Sequence, residues 1–130
     1  MKKTFITLIA AACMLAACQE SLEKRCAREA KEYTEKKCPA RISDNMTVDS
    51  LVFFPESHTL KYCYTLEGVL DNAENLQKHD LKGMLLKELK NSTQVKLYKE
   101  AGYTFHYAYY SAKEKGRLLF ETTLQEKDYR

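Results

Sequence analysis

Residues 103–111 read Tyr-Thr-Phe-His-Tyr-Ala-Tyr-Tyr-Ser, and the reading of this stretch decides the fold. Successive side chains of a β-strand point to opposite faces. Tyr103, Phe105, Tyr107 and Tyr109 therefore share one face, and Thr104, His106, Ala108 and Tyr110 share the other. An aromatic stripe on one side only belongs to a sheet covered on one side. Lys115-Gly116 supplies a left-handed turn position. Residues 117–125 then return as a partner strand, with Leu118, Phe120 and Leu124 facing inward.

Upstream, the same pattern recurs. Residues 48–54 are β-branched and aromatic, Pro55-Glu56-Ser57-His58 turns the chain, and residues 59–66 come back as a strand. There Leu60, Tyr62, Tyr64 and Leu66 face one way, and Lys61, Cys63 and Thr65 the other. Ser21 is a good N-cap for a helix over 21–37, in which Leu22, Cys26, Ala30 and Tyr33 recur at helical spacing. Pro39 ends that helix, because the residue before a proline is pushed out of helical geometry. Asp71 with Glu74 three residues later resembles a capping box. It opens a second helix over 72–91, with Leu76, Leu81, Met84, Leu85 and Leu89 as its buried stripe. A short helical turn around Val95, Leu97 and Tyr98 closes at Gly102. The order helix, hairpin, helix, hairpin predicts an α+β fold, a four-stranded antiparallel sheet with two helices packed on one face.

The first residues read differently. Lys2 and Lys3 precede an uncharged apolar run over 4–17 that is too short for the ~20 residues a membrane span needs, so it reads as a cleavable export signal. It ends in Leu15-Ala16-Ala17-Cys18, which resembles the lipobox of bacterial lipoproteins. The resemblance implies acylation of Cys18, removal of residues 1–17, a short tether over 18–20 and a domain over 21–130. Ala11-Ala12-Cys13 is a second candidate but lacks the branched residue, and an ordinary secretory signal is the competing reading. Several acyl chains, at ~0.8 kcal/mol per buried methylene, anchor stably where one is marginal. In lipoproteins of well-studied Gram-negative cells, Asp after the lipidated Cys retains the protein at the inner membrane. Gln19 stands here, which points to the outer membrane, facing the periplasm or the cell surface.

Of 21 basic residues against 18 acidic ones, Lys2 and Lys3 leave with the leader, so the mature chain is nearly neutral. It has no basic stripe, which argues against a nucleic-acid partner. The partners this predicts are the membrane, through the anchor, and an envelope protein. The mature chain also resembles a family of small exported bacterial proteins of unsettled function. Pro39, Asp49-Ser50, Tyr62-Cys63-Tyr64-Thr65, Gly102, Tyr107-Ala108-Tyr109, Gly116 and Asp128-Tyr129 carry the likeness. That family tends to place an acid four residues and a Thr seven residues after the proline. Here Ser43 and Met46 stand there, with Asp44 and Thr47 each one position late. The resemblance implies fold and compartment, and no reaction.

Cys26, Cys38 and Cys63 remain after processing. The predicted helix holds Cys26 and Cys38 ~18 Å apart, beyond the ~7 Å a disulfide allows. Cys38 with Cys63 is the candidate bridge, and three free thiols the alternative. His58, His79 and His106 have no metal-ligand spacing, and there is no phosphate loop or nucleophile elbow. No cofactor is expected. Catalysis is the minority reading, as a small hydrolase or thiol enzyme using Cys63 and His106 if the two hairpins pair side by side. The main expectation is a binding or protein-interaction module. Tyr62, Tyr64, Tyr107 and Tyr109 are its candidate ligand-binding residues, since buried hydroxyls demand partners. Either they form an ordinary aromatic core, or they line a partly wet groove for a sugar, peptide or apolar ligand.

Overall fold

Ser21 starts the first helix as its pattern requires: its hydroxyl accepts the Lys24 N–H at 3.2 Å. The computed structural model describes residues 20–130, so the leader and Cys18 lie outside the described residues. Helix α1 runs Leu22–Lys37, with Glu23 in its first turn and Lys36 and Lys37 in its last. Both placements complement the helix dipole. Cys26 and Ala30 are its buried residues, small enough to let the helix lie close on the sheet.

The strands are β1 (Ala40–Ser43), β2 (Met46–Phe54), β3 (Thr59–Leu66), β4 (Thr104–Ser111) and β5 (Leu118–Leu124). They form one five-stranded sheet in the order β1-β2-β3-β4-β5. The sequence reading of four antiparallel strands is corrected twice. The short edge strand β1 is added, because Ala40 and Arg41 pair with Val48 and Thr47 in a stretch too polar to signal a strand. And β3 and β4 are parallel, with Tyr62 beside Tyr107 and Tyr64 beside Tyr109. Parallel neighbours need a crossover of a dozen or more residues, and residues 67–103 provide it.

The crossover holds a 3-10 turn (Gly68–Leu70) and three helices: α2 (Ala73–Gln77), α3 (Leu81–Asn91) and α4 (Lys96–Glu100). The single helix expected over 72–91 is thus broken. Asn72, not Asp71, caps α2 through bonds from the Glu74 and Asn75 N–H groups. Asp80 caps α3 by accepting from Gly83 N–H at 3.1 Å. The second cap re-aims the helix axis, so Leu76 and Leu89 are buried while Met84 is 58% exposed. A last helix, α5 (Glu126–Tyr129), follows β5 and buries Tyr129, whose hydroxyl donates to the Tyr103 carbonyl at 2.7 Å.

Phe105, Leu66, Leu124 and Cys26 are the largest fully buried side chains. They mark a core between one sheet face and the helices. Helix α1 covers β2, α2 packs against β5, and α3 against α5. Leu118, expected to face inward, is exposed because the register slips between Tyr109 and Tyr110. Beyond the end of β1, the outer edge of β2 is closed by α1. The Thr34 hydroxyl accepts from Leu51 N–H and donates to Leu51 C=O, both at 2.9 Å.

Candidate functional site

Tyrosine rings from the two central parallel strands stack in pairs over the helix-covered face of the sheet. Tyr62 lies on Tyr107 with ring centroids 5.0 Å apart, and Tyr64 on Tyr109 at 4.6 Å, the rings of both pairs nearly parallel. Tyr62 and Tyr64 also face each other along β3 at 6.4 Å. The parallel register causes this, because it sets identical residue types side by side rather than staggering them. Tyr107 and Tyr109 are buried, and Tyr62 and Tyr64 are half-buried against the core.

Among the described residues, the tyrosine hydroxyls bonded to protein are those of Tyr98 and Tyr129. The hydroxyls of the four stacked rings have no protein partner. Among the described residues no fully enclosed side-chain oxygen lacks a partner, so these four hydroxyls are not completely sealed from solvent. Burial pushes all four hydroxyls well above the ordinary tyrosine range, and Glu88 of α3 adds to this at Tyr64, Tyr107 and Tyr109. They stay neutral and can both donate and accept.

Tyr62 and Tyr64 open into a cleft of about 250 Å³ between α1, the sheet and α4. Its other walls include Tyr33 and Ala30 of α1, Leu51 and Leu60 of the sheet, and Val95 and Tyr98. Glu29 is the one charged side chain in the lining. Its carboxylate is held from both sides, by the Tyr98 hydroxyl at 2.7 Å and the Arg25 guanidinium at 2.7 Å. Cys26 lies at the back of the cleft, where burial and the nearby Glu29 push its thiol up to about 12.

Cys63 and His106 lie on the opposite, helix-free face. In register Lys61 pairs with His106 and Cys63 with Ala108, so the two are diagonal neighbours, roughly 7–8 Å apart in sheet geometry. The hairpins do pair side by side, but His106 turns its Nε2 to Glu121 at 3.1 Å. A thiolate–imidazole contact is not made. Cys26, Cys38 and Cys63 are all free thiols. Among the described residues no group of three or more His, Cys, Asp or Glu could hold a metal ion, and no helix is long and apolar enough to cross a membrane. Of the four tyrosines that the sequence singles out, Tyr62 and Tyr64 line the cleft and Tyr107 and Tyr109 stack behind them, outside its lining. Sequence reasoning missed Tyr98 and Glu29, whose meeting depends on how the crossover folds back over α1.

The profile of the family described as Domain of unknown function (DUF8479) matches residues 21–120. No curated protein matches the chain. The fold is shared with solved structures at low identity. A Pseudomonas aeruginosa protein described as secreted is 9% identical with a TM-score of 0.66, over 86% of this chain and 100% of that one. The Vibrio vulnificus type 2 secretion system pilotin EpsS is 10% identical with a TM-score of 0.57, covering 84% and 92%. The Vibrio cholerae type II secretion system pilotin AspS is 10% identical with a TM-score of 0.57, covering 88% and 97%.

Proposed function

The chain belongs to the DUF8479 family, and we propose that it is a non-catalytic adapter of the bacterial cell envelope. Lipid on Cys18 anchors it to the outer membrane, and it holds a segment of an envelope protein in the tyrosine-lined cleft. The observation that carries this reading is that Tyr62 and Tyr64, each stacked on a tyrosine of β4, line an open cleft with hydroxyls that no protein group among the described residues satisfies. A tyrosine core kept for stability alone would close its hydroxyls onto carbonyls, as Tyr129 does.

The size of the cleft selects among ligands. At about 250 Å³ it falls below the ~300–1,000 Å³ typical of small-molecule pockets, but it accepts one or two apolar side chains of a docked segment. Rigid aromatic walls lose little conformational entropy on binding, and the neutral hydroxyls add hydrogen bonds at the rim. With Glu29 already satisfied, the partner segment is apolar and polar rather than charged at this point. The fold shared with two secretion-system pilotins is consistent with an adapter role. The missing contact between Cys63 and His106 argues against the thiol-enzyme alternative.

The test is site-specific photo-crosslinking in cells of the lipidated protein. A probe at Ile42, on the exposed rim of the cleft, is expected to capture one stoichiometric envelope protein. A probe at Lys127 on α5 is expected to capture none. The Tyr62→Phe, Tyr64→Phe double variant keeps the rings and removes the two cleft-lining hydroxyls, so it should fold normally and capture less. Equal capture from both probe positions, or undiminished capture by the double variant, sinks the proposal.

A further inference from the structure

Val52 and Phe54 are large apolar side chains two residues apart on β2, 39% and 45% exposed. Both point to the sheet face that carries no helix, since Leu51 and Phe53 between and beside them pack on the core. Their position along the strand gives them meaning. Phe54 directly precedes the turn at Pro55, and His58 in that turn places its Nε2 2.7 Å from the Glu23 carboxylate in the first turn of α1. The His58 carbonyl also accepts from Thr104 N–H at 2.9 Å, and its ring stacks on Tyr103 at 4.9 Å. The tip of the β2–β3 hairpin is therefore fastened level with the start of α1.

That level is where the tether ends. Only Gln19 and Glu20 stand between Cys18 and Ser21, the N-cap of α1, and a fully extended chain covers at most ~3.3–3.6 Å for each of the three residue steps. A lipid on Cys18 thus confines this end of the domain to within ~10 Å of the headgroups. Resting on that anchor, we propose that Phe54 and Val52 form a second, non-covalent membrane contact, entering the bilayer interface of the leaflet that holds the acyl chains. An interfacial element sinks its apolar face ~5–10 Å into the boundary between headgroups and acyl chains. Aromatic and aliphatic side chains at a strand end suit that depth. Lys61, paired with Val52 in the register, brings a cation beside them for anionic headgroups. Of the acidic groups at this end, Glu20 is paired with Arg28, Glu23 is held by His58, Glu126 beside Gly102 is paired with Arg130, and Glu56 stands in the turn. The helix side, with its cleft and Tyr98, then faces away from the membrane, free for a protein partner.

The chain has no tryptophan, so a single introduced one is an unambiguous probe. Lipidated full-length Phe54→Trp protein is reconstituted in phosphatidylethanolamine–phosphatidylglycerol vesicles, alongside Met84→Trp, which reports the exposed surface of α3 on the helix side. Co-flotation with the vesicles reads the anchor separately. The expected result is co-flotation of both variants. Emission of Phe54→Trp shifts to shorter wavelength and is quenched several-fold more than that of Met84→Trp by bromine-labelled acyl chains. Co-flotation with water-exposed emission from Phe54→Trp, or with stronger quenching of Met84→Trp, overturns the docking face and leaves the anchor standing. Failure to float overturns the anchor and the docking face together. An emission shift of Phe54→Trp only when an envelope protein is added makes the face a protein interface and overturns the lipid assignment.

Discussion

The hydroxyl of Tyr98 donates a 2.7 Å hydrogen bond to Oε2 of Glu29, across 69 residues of sequence. Arg25 donates to the other carboxylate oxygen, also at 2.7 Å. The three residues tie α4 to α1 at one wall of the cleft, so cleft shape and domain stability share one contact.

Tyr98→Phe keeps the buried ring and removes the bond. Its cost is expected to be roughly 1 kcal/mol, the net worth of an intramolecular hydrogen bond, read from urea denaturation. The pH response follows from Glu29. Partial burial pushes its carboxyl up, and the bonds from Arg25 and Tyr98 outweigh that, leaving it below the usual range. A depressed carboxyl contributes stability above its ordinary value of 4.5 and loses it as pH falls through the folded value. Wild type should therefore lose more stability than Glu29→Gln on titration from neutral to acid pH. Parallel pH profiles for the two proteins would disprove the assignment.

A second contact guards the sheet edge. Thr34 satisfies both the N–H and the C=O of Leu51 where β1 no longer covers β2. Open strand edges recruit other chains. Thr34→Val leaves two backbone groups unpaired, at ~1–3 kcal/mol for an unsatisfied buried group, and exposes the edge. Thr34→Ser restores the hydroxyl. We expect Thr34→Val to lower the urea midpoint and raise the dimer fraction in sedimentation velocity. Thr34→Ser should match wild type in both.

These two contacts mark the boundary of what the chain discloses on its own. Period-2 alternation alone puts Tyr62, Tyr64, Tyr107 and Tyr109 on the inward face, because face assignment depends only on local pleat geometry. Ser21 and Pro39 bound α1 for equally local reasons. Pairing across the sheet is not local. Whether β3 meets β4 parallel depends on the path of residues 67–103, and nothing in either strand encodes it. Asp71 shows the same limit. It looks like a helix cap because Glu74 follows, yet the adjacent Asn72 takes that role, leaving Asp71 for a partner 42 residues away.

Asp71 fastens the crossover to the β4–β5 turn. It accepts the Lys113 N–H at 3.0 Å, and the Ser111 hydroxyl, followed by that amide, holds its carboxyl below the usual range. Asp71→Ala should therefore speed amide exchange over residues 111–117 while leaving β2 and β3 protected. The wild-type protection should be present above the ordinary aspartate value of 3.8 and fade as pH falls through the lower folded value. Uniform loss of protection across the sheet would instead make Asp71 a global core residue.

Thiol chemistry separates the three cysteines by position. Cys26 is 1% exposed and its thiol is pushed up by burial to about 12. The thiolate is the reactive form, so alkylation should leave Cys26 untouched until the protein unfolds. Cys38 and Cys63 are half-buried, and β2 runs between them. Ala40 pairs with Val48 and Ser50 with Cys63, so continuing the β1 register places Cys38 beside Ser50. Two strand spacings of ~4.8 Å then separate the pair by ~10 Å, beyond the ~7 Å limit for a bridge. The expectation is that mass spectrometry of protein isolated from the envelope under trapping conditions finds Cys38 and Cys63 singly alkylated. A peptide cross-linked between them would instead require residues 38–40 to leave the path set by the Ala40–Val48 pairing and pass over Ser50. Cys38→Ser should then cost the several kcal/mol typical of losing a native disulfide, ~2–5 kcal/mol, whereas with free thiols the swap at this half-buried position costs about 1 kcal/mol, as a typical point substitution does.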